Sequence, residues 1–298
     1  MVGMGILCGV LTAVLQTASY FFSRTFLQRN GGAVELLTAS QLLIALVSLV
    51  ALPFVVPAEA FAWKYLPAVC LSGWGFLGGH YFFFHALKHI ESSRIASLLG
   101  LKVVAVPILL SLFFGEMFGA GQWCALVLAM AAAMLINYRG GAQFAWKGMG
   151  FFACTLPLYA WSDIGIQLLV RNLPVENNIH AAVIGTIFNN LLVGITLLPL
   201  VWIRHVKVAQ FRAAAPYACC WGLSILLFFF CYSYIGAAFG NVVQAVRGPL
   251  SLVAGIVAAK LGYTWLETKV GAKVWVFRAV AALMMFSAIV LYAYCRTK

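Results

Sequence analysis

The sequence predicts an all-α polytopic membrane protein, with ten transmembrane helices arranged as two inverted five-helix repeats. Three observations carry that prediction. Of the 298 residues, 64% are hydrophobic and 9% are charged, and the mean hydropathy is +1.00. A soluble domain is about 45–50% apolar and about 25% charged. So few charges cannot cover a water-facing surface, so most of this one faces lipid. Second, ten apolar runs reach the roughly 20 residues that a helix needs to cross about 30 Å of hydrocarbon. They span 3–22, 36–57, 65–87, 95–114, 119–138, 148–169, 180–203, 214–235, 240–259 and 275–295. Third, ten runs divide into two fives, and an odd number per half inverts one half relative to the other.

Each run has a local justification. The runs are continuously apolar rather than alternating, which selects helices over a barrel. The first, MVGMGILCGVLTAVL, has no basic stretch before it and reads as a spanning helix, not a cleaved leader. Gly5-xxx-Gly9, Gly75-xxx-Gly79 and Gly236-xxx-Gly240 allow helices to approach closely. The fourth run, IASLLGLKVVAVPILLSLFFGE, and the ninth, AFGNVVQAVRGPLSLVAGIVAAKLG, each carry a proline, Pro107 and Pro249. Each half then closes on a similar apolar run, ALVLAMAAAMLINY against AVAALMMFSAIVLYAY. The halves are therefore set at 1–140 and 141–298. Pro107, Pro157 and Gly248–Pro249 mark places where helices kink or open.

The formal charge of +12 is spread as single or paired basic residues between apolar runs, unlike a stripe that tracks nucleic-acid phosphates. Thirteen of the nineteen Lys and Arg residues fall in or beside odd-numbered links (Arg24, Arg29, Lys88, Arg94, Arg139, Lys147, Arg204, Lys207, Arg212, Lys260, Lys269, Lys273, Arg278). Four fall in even links or at the ends: Lys64, Arg171, Arg296 and Lys298. By the positive-inside rule the odd links are cytosolic and both termini lie outside. The eight cysteines sit in apolar stretches without metal-ligand spacing and read as packing residues.

Charged side chains within the spans cost about 2.5–3.5 kcal/mol each on insertion scales, so each needs a reason. Lys102 and Arg247 are each the eighth residue of a run, roughly 12 Å in at 1.5 Å per residue. Asp163 lies in the sixth run beside Trp161. Either these groups line a polar cavity, with the cations on a substrate anion and Asp163 on an ammonium, or Asp163 pairs internally with one cation. Two cations and one anion leave a cation over, which favours the cavity. In GGHYFFFHALKH, His80 and Phe84 share one helix face and Tyr81 and His85 the next. They form either an aromatic cavity wall or a capped histidine inside the bundle. Gln16 and Gln244 are further polar groups at depth, with Tyr20, Tyr159, Asn189 and Asn190. An interfacial belt is the alternative for Tyr20 and interhelical hydrogen bonding for the asparagines. The candidate substrate-binding set is Lys102, Arg247, Asp163, His80, Tyr81, Phe84, Trp161, Gln244 and Gln16. Glu35 and Glu116 stand at helix ends, where a carboxylate reaches water.

The stretch 82–135 resembles the EamA-type repeat of the drug/metabolite transporter superfamily. Phe84–Ala86–Leu87, Ala96–Ser97, Pro107, Gly115–Glu116 and Gln122–Trp123 stand where that repeat carries its aromatic-Ala-Leu end, small residues, mid-helix proline, Gly-Glu and final helix. The second copy, 228–294, keeps Ala237–Ala238 and Pro249 but has Lys260–Leu261–Gly262 in place of Gly-Glu. The resemblance implies a secondary transporter working by alternating access, with export as the usual direction and a bacterial inner membrane as its place.

Opposite charges with aromatics suit a zwitterion, an amino acid of aromatic or apolar kind; a sugar-phosphate or nucleotide-sugar exchanger using Lys102 and Arg247 together is the alternative. A non-transport membrane protein or intramembrane enzyme is the third reading, but no acid/base constellation, phosphate loop or metal motif is present. No cofactor is expected. The expected partners are a small-molecule substrate and membrane lipid, not nucleic acid, and a monomer is compatible with the sequence.

Overall fold

The computed structural model describes residues 2–90, 95, 98–136, 146–260 and 272–296. Of the positions singled out above, Arg94, Ala96–Ser97, Arg139, Leu261–Gly262, Lys269 and Lys298 lie outside them. The described residues are helical and contain no strand. In chain order the helices are α1 (Val2–Arg29), α2 (Ala33–Val55), α3 (Leu66–Leu87), α4 (Lys102–Phe114), α5 (Ala120–Ile136), α6 (Trp146–Asn172), α7 (Asn178–Ile203), α8 (Val208–Gln244), α9 (Arg247–Lys260) and α10 (Ala272–Arg296). Five of these, α1, α2, α6, α7 and α8, are long and apolar enough to cross a membrane, and α4, α5 and α10 supply shorter apolar stretches. The outer faces agree: Val47 on α2, Ile195 on α7 and Leu283 on α10 are each about 70% exposed, a surface suited to lipid rather than water. The chain is an integral membrane protein.

Ordinary signals set the ends. Pro67 occupies the first turn of α3, where its missing N–H is harmless. The Asn177 side chain accepts from Ile179 N at 2.9 Å and caps α7. Gly115, at φ 66°, closes α4 in the left-handed conformation that glycine adopts without steric cost.

The helices pair in a regular way. α1 lies along α8 and α3 along α6, while α2 packs against α7 and α5 against α10. Glycines permit the first two contacts. A Cβ on Gly9 would meet Val243 at 2.8 Å, and one on Gly75 would meet the Leu158 carbonyl oxygen at 2.9 Å. The spacings Gly5-xxx-Gly9 and Gly75-xxx-Gly79 therefore do serve close approach. At the crossing of α2 and α7, Ala45 faces Gly194.

Three elements differ from the sequence expectation. The runs 214–235 and 240–259 are not two helices meeting in a link near 237. Instead α8 continues to Gln244 and is broken inside, at Gly236 (φ 74°, ψ 167°). Gly236 is a backbone break rather than one end of a packing motif, because only glycine takes this conformation without strain. The fourth run is not one α-helix either: a 3₁₀ turn, Leu99–Leu101, precedes α4, which begins at Lys102. Likewise a turn at 245–246 precedes α9, which begins at Arg247. Both span cations thus open a helix after a tightened turn, a feature associated with functional hinges. Pro107 and Pro157, by contrast, sit inside α4 and α6 without ending them.

Overpacking the α3–α6 contact is expected to destabilise the protein. Gly75→Leu should cost about 1–3 kcal/mol, measured as a lowered melting temperature in detergent. Gly150→Ala, where a Cβ meets nothing within 4 Å, should leave it unchanged.

Candidate functional site

Where α1, α3, α4, α6, α8 and α9 converge, the interior holds a cavity of about 30 Å³, room for one or two waters. Gln16 and Tyr20 reach it from α1, Phe76 from α3, Lys102 from α4, Tyr159, Ser162 and Asp163 from α6, Trp221 and Phe228 from α8, and Arg247 from α9. All of these are less than 9% exposed, so the space lies inside the helix bundle.

Its charges are arranged in two groups. Lys102 Nζ lies 2.7 Å from Asp163 Oδ2, with both side chains buried. Asn241 Nδ2 donates to the same Oδ2 at 2.8 Å and lies within reach of Tyr232 OH (2.7 Å) and the Ala237 carbonyl (2.9 Å). The ammonium also stands 5.5 Å from the ring centres of Tyr159 and Phe228, close enough for cation–π attraction. Arg247 forms the second group. Its Nη1 donates to Gln16 Oε1 and to Tyr20 OH (3.2 Å), and its guanidinium carbon lies 5.8 Å from the Tyr20 ring centre. Its Nε has no hydrogen-bond partner among the described residues. Of the two sequence readings, the internal pair is the one seen: Asp163 pairs with Lys102, and both line the cavity together with Arg247.

The remaining candidates separate. His80 is fully buried one layer behind the wall, between Tyr159 OH on Nδ1 (2.7 Å) and Tyr217 OH near Nε2 (3.1 Å). It fixes the orientation of Tyr159 rather than touching the cavity. Phe84 packs edge-on to His80, 5.3 Å between centroids, as their shared face predicts, but buried in the wall. Tyr81 is placed wrongly by the expectation. It turns to the adjacent face, 40% exposed, against His85 and away from the site. Trp161 also lies outside the lining and packs on Phe113, because on α6 it is two positions from Asp163 and faces elsewhere. Gln244 is buried with neither amide atom hydrogen-bonded and does not line the cavity. Tyr20, for which a belt was the alternative, lies inside. Asn190 donates to Ser48 Oγ on α2 at 3.0 Å, an interhelical bond.

Phe76, Trp221, Phe228, Tyr232 and Asn241 were missed. The first four are aromatics among many in apolar runs. Asn241, three residues before Gln244 and six before Arg247, carried the one usable signal, a polar side chain repeating at helical spacing.

A second polar cluster lies beside the Gly236 break. Glu116 Oε1 accepts from Gln167 Nε2 and Arg171 Nη1, both at 2.8 Å, and Gln167 Oε1 accepts from the Ala237 N–H at 2.5 Å. The carboxylate of the Gly-Glu pair, besides reaching water, therefore ties the α4–α5 link to α6 and to the broken turn of α8. Gln167→Leu removes the acceptor of the freed N–H. Amide hydrogen exchange just after Gly236 should then speed up by about tenfold, the factor for a lost contribution near 1.4 kcal/mol.

Residues 3–138 match the model of the EamA-like transporter family. A crystal structure described only as that of a protein aligns with 94% of this chain and 95% of its own, with a TM-score of 0.62 and 14% identity, a likeness of fold. No curated protein matches.

Proposed function

We propose, from the premise that the first half is an EamA-like transporter repeat, that the chain is a secondary transporter of small carboxylate-bearing metabolites. Amino acids with apolar or aromatic side chains are the first solutes to test. The observation that carries this reading is the buried central cavity, which joins Lys102, Asp163, Arg247 and Gln16 to a wall of aromatic rings. Residues beyond the matched half, Asp163, Trp221, Phe228 and Arg247 among them, supply much of it. Intramembrane ionisable groups facing a cavity mark substrate pathways by default. Arg247, with Gln16 and Tyr20 holding one side of its fork, receives the carboxylate, and the rings of Tyr20, Phe76, Tyr159, Trp221 and Phe228 take the apolar body. At about 30 Å³ the cavity is too small for any such solute, so on this reading the helices around it move apart to admit one.

The helix pairing supports two inverted halves, 1–140 and 141–298. Exchanging each helix with the one five places on converts the α1–α8 contact into α6–α3 and leaves α2–α7 and α5–α10 paired with themselves. Ala45 and Gly194 then lie near the dyad. The cytosolic placement of the basic links, a bacterial inner membrane and export as the direction belong to the same proposal.

Two cations on one cavity also favour a second reading, a sugar-phosphate exchanger. Counterflow into proteoliposomes of the purified protein separates the two. Uptake of labelled L-phenylalanine against internal unlabelled L-phenylalanine is expected, and Arg247→Ala should abolish it while the protein stays monodisperse. Movement of triose phosphate alone would favour the second reading, and flux of no carboxylate or phosphate solute would end both.

A further inference from the structure

The two cations facing the cavity are not equivalent. Asp163 is the one carboxylate among the described residues that line it, and its Oδ2 already accepts from Lys102 at 2.7 Å and from Asn241 at 2.8 Å. Arg247 has only neutral oxygens on Nη1, and its buried Nε is without a partner. A guanidinium offers five N–H donors in a fork that matches a carboxylate bidentately. The cavity is therefore prepared for one negative group.

An ammonium entering the same space finds no such reception. The carboxylate it needs is held in an ion pair, and the competing Lys102 repels it. Aromatic faces are the other means of holding an ammonium, but three of the rings are already under cations. Lys102 lies 5.5 Å from the centres of Tyr159 and Phe228, and Arg247 5.8 Å from that of Tyr20. Of the remaining two, Phe76 is stacked on Trp221 with centroids 5.8 Å apart. Charge counting agrees. Lys102, Asp163 and Arg247 sum to one positive charge, which a monoanion neutralises and a zwitterion leaves uncompensated among buried side chains.

We infer that this site reads a carboxylate and rejects an amine, so that its preferred solutes are monoanionic carboxylates with an apolar or aromatic body and no ammonium group. This rests on the transport reading above and selects within it.

Competition decides the matter. In the counterflow assay with labelled L-phenylalanine at neutral pH, external phenyllactate, which has the same ring and carboxylate with a hydroxyl for the amine, should inhibit at a concentration at least about tenfold below unlabelled phenylalanine, as expected when one charged group is left unpaired on burial. Equal or stronger inhibition by phenylalanine overturns the inference and leaves transport standing. Counterflow of labelled phenyllactate with none of phenylalanine supports it, and flux of neither overturns both. Lys102→Met frees Asp163, and ligand-induced thermal shifts of the purified variant should then favour phenylalanine relative to phenyllactate. An unchanged ratio in a folded variant means that the engaged carboxylate is not what excludes the amine, and overturns the inference too.

Discussion

Three ionised side chains buried where several helices meet set the terms for the rest of the structure. Lys102, Asp163 and Arg247 are each at most 5% exposed, in an interior where removing one partner of a buried pair costs about 3–5 kcal/mol. Their surroundings answer that demand. Asp163 receives an ammonium and an amide, Lys102 receives two ring faces, and Arg247 receives an amide oxygen, a phenol and a ring. These partners come from α1, α4, α6 and α8, so the charges tie those helices and α9 into one arrangement as well as lining a cavity. The arrangement is incomplete at Arg247, and that incompleteness gives the cavity a chemical preference.

Close backbone approach makes the arrangement reachable. Glycines on α1 and α3 bring α8 and α6 near enough for their side chains to meet across the centre. Gly75 and Gly79 sit opposite Leu158 and Tyr159, which puts Asp163 one turn further along α6. The broken turn at Gly236 displaces the end of α8, where Asn241 turns back to Tyr232 and Asp163. Gln167 satisfies the N–H freed by that break. The α4–α5 link joins the same cluster through Glu116.

Much of this was legible beforehand. Single charges in apolar runs announced themselves, because hydrocarbon tolerates no unexplained ion, and Gln16 stood out for the same reason. Periodicity put His80 and Phe84 on one face correctly, but it could not choose between that face and the one bearing Tyr81. Phe76, Trp221 and Phe228 were invisible among many aromatics: an aromatic that lines a cavity and one that faces lipid obey the same local pattern. The breaks at 99–101, 236 and 245–246 were also unreadable, since prolines lie nearby yet α4 and α6 run through theirs.

Composition and spacing along one chain are enough to fix the solvent, the helices and the presence of buried charge. The tertiary structure decided which cation Asp163 neutralises, which rings shield Lys102, and that Arg247 keeps an open donor. Such choices depend on how each helix is rotated about its axis and where it crosses its neighbours. Rotation and crossing are fixed by contacts between residues far apart in the chain, 78 positions for Asn241 and Asp163 and 231 for Arg247 and Gln16, and the order of residues along the chain does not encode them locally.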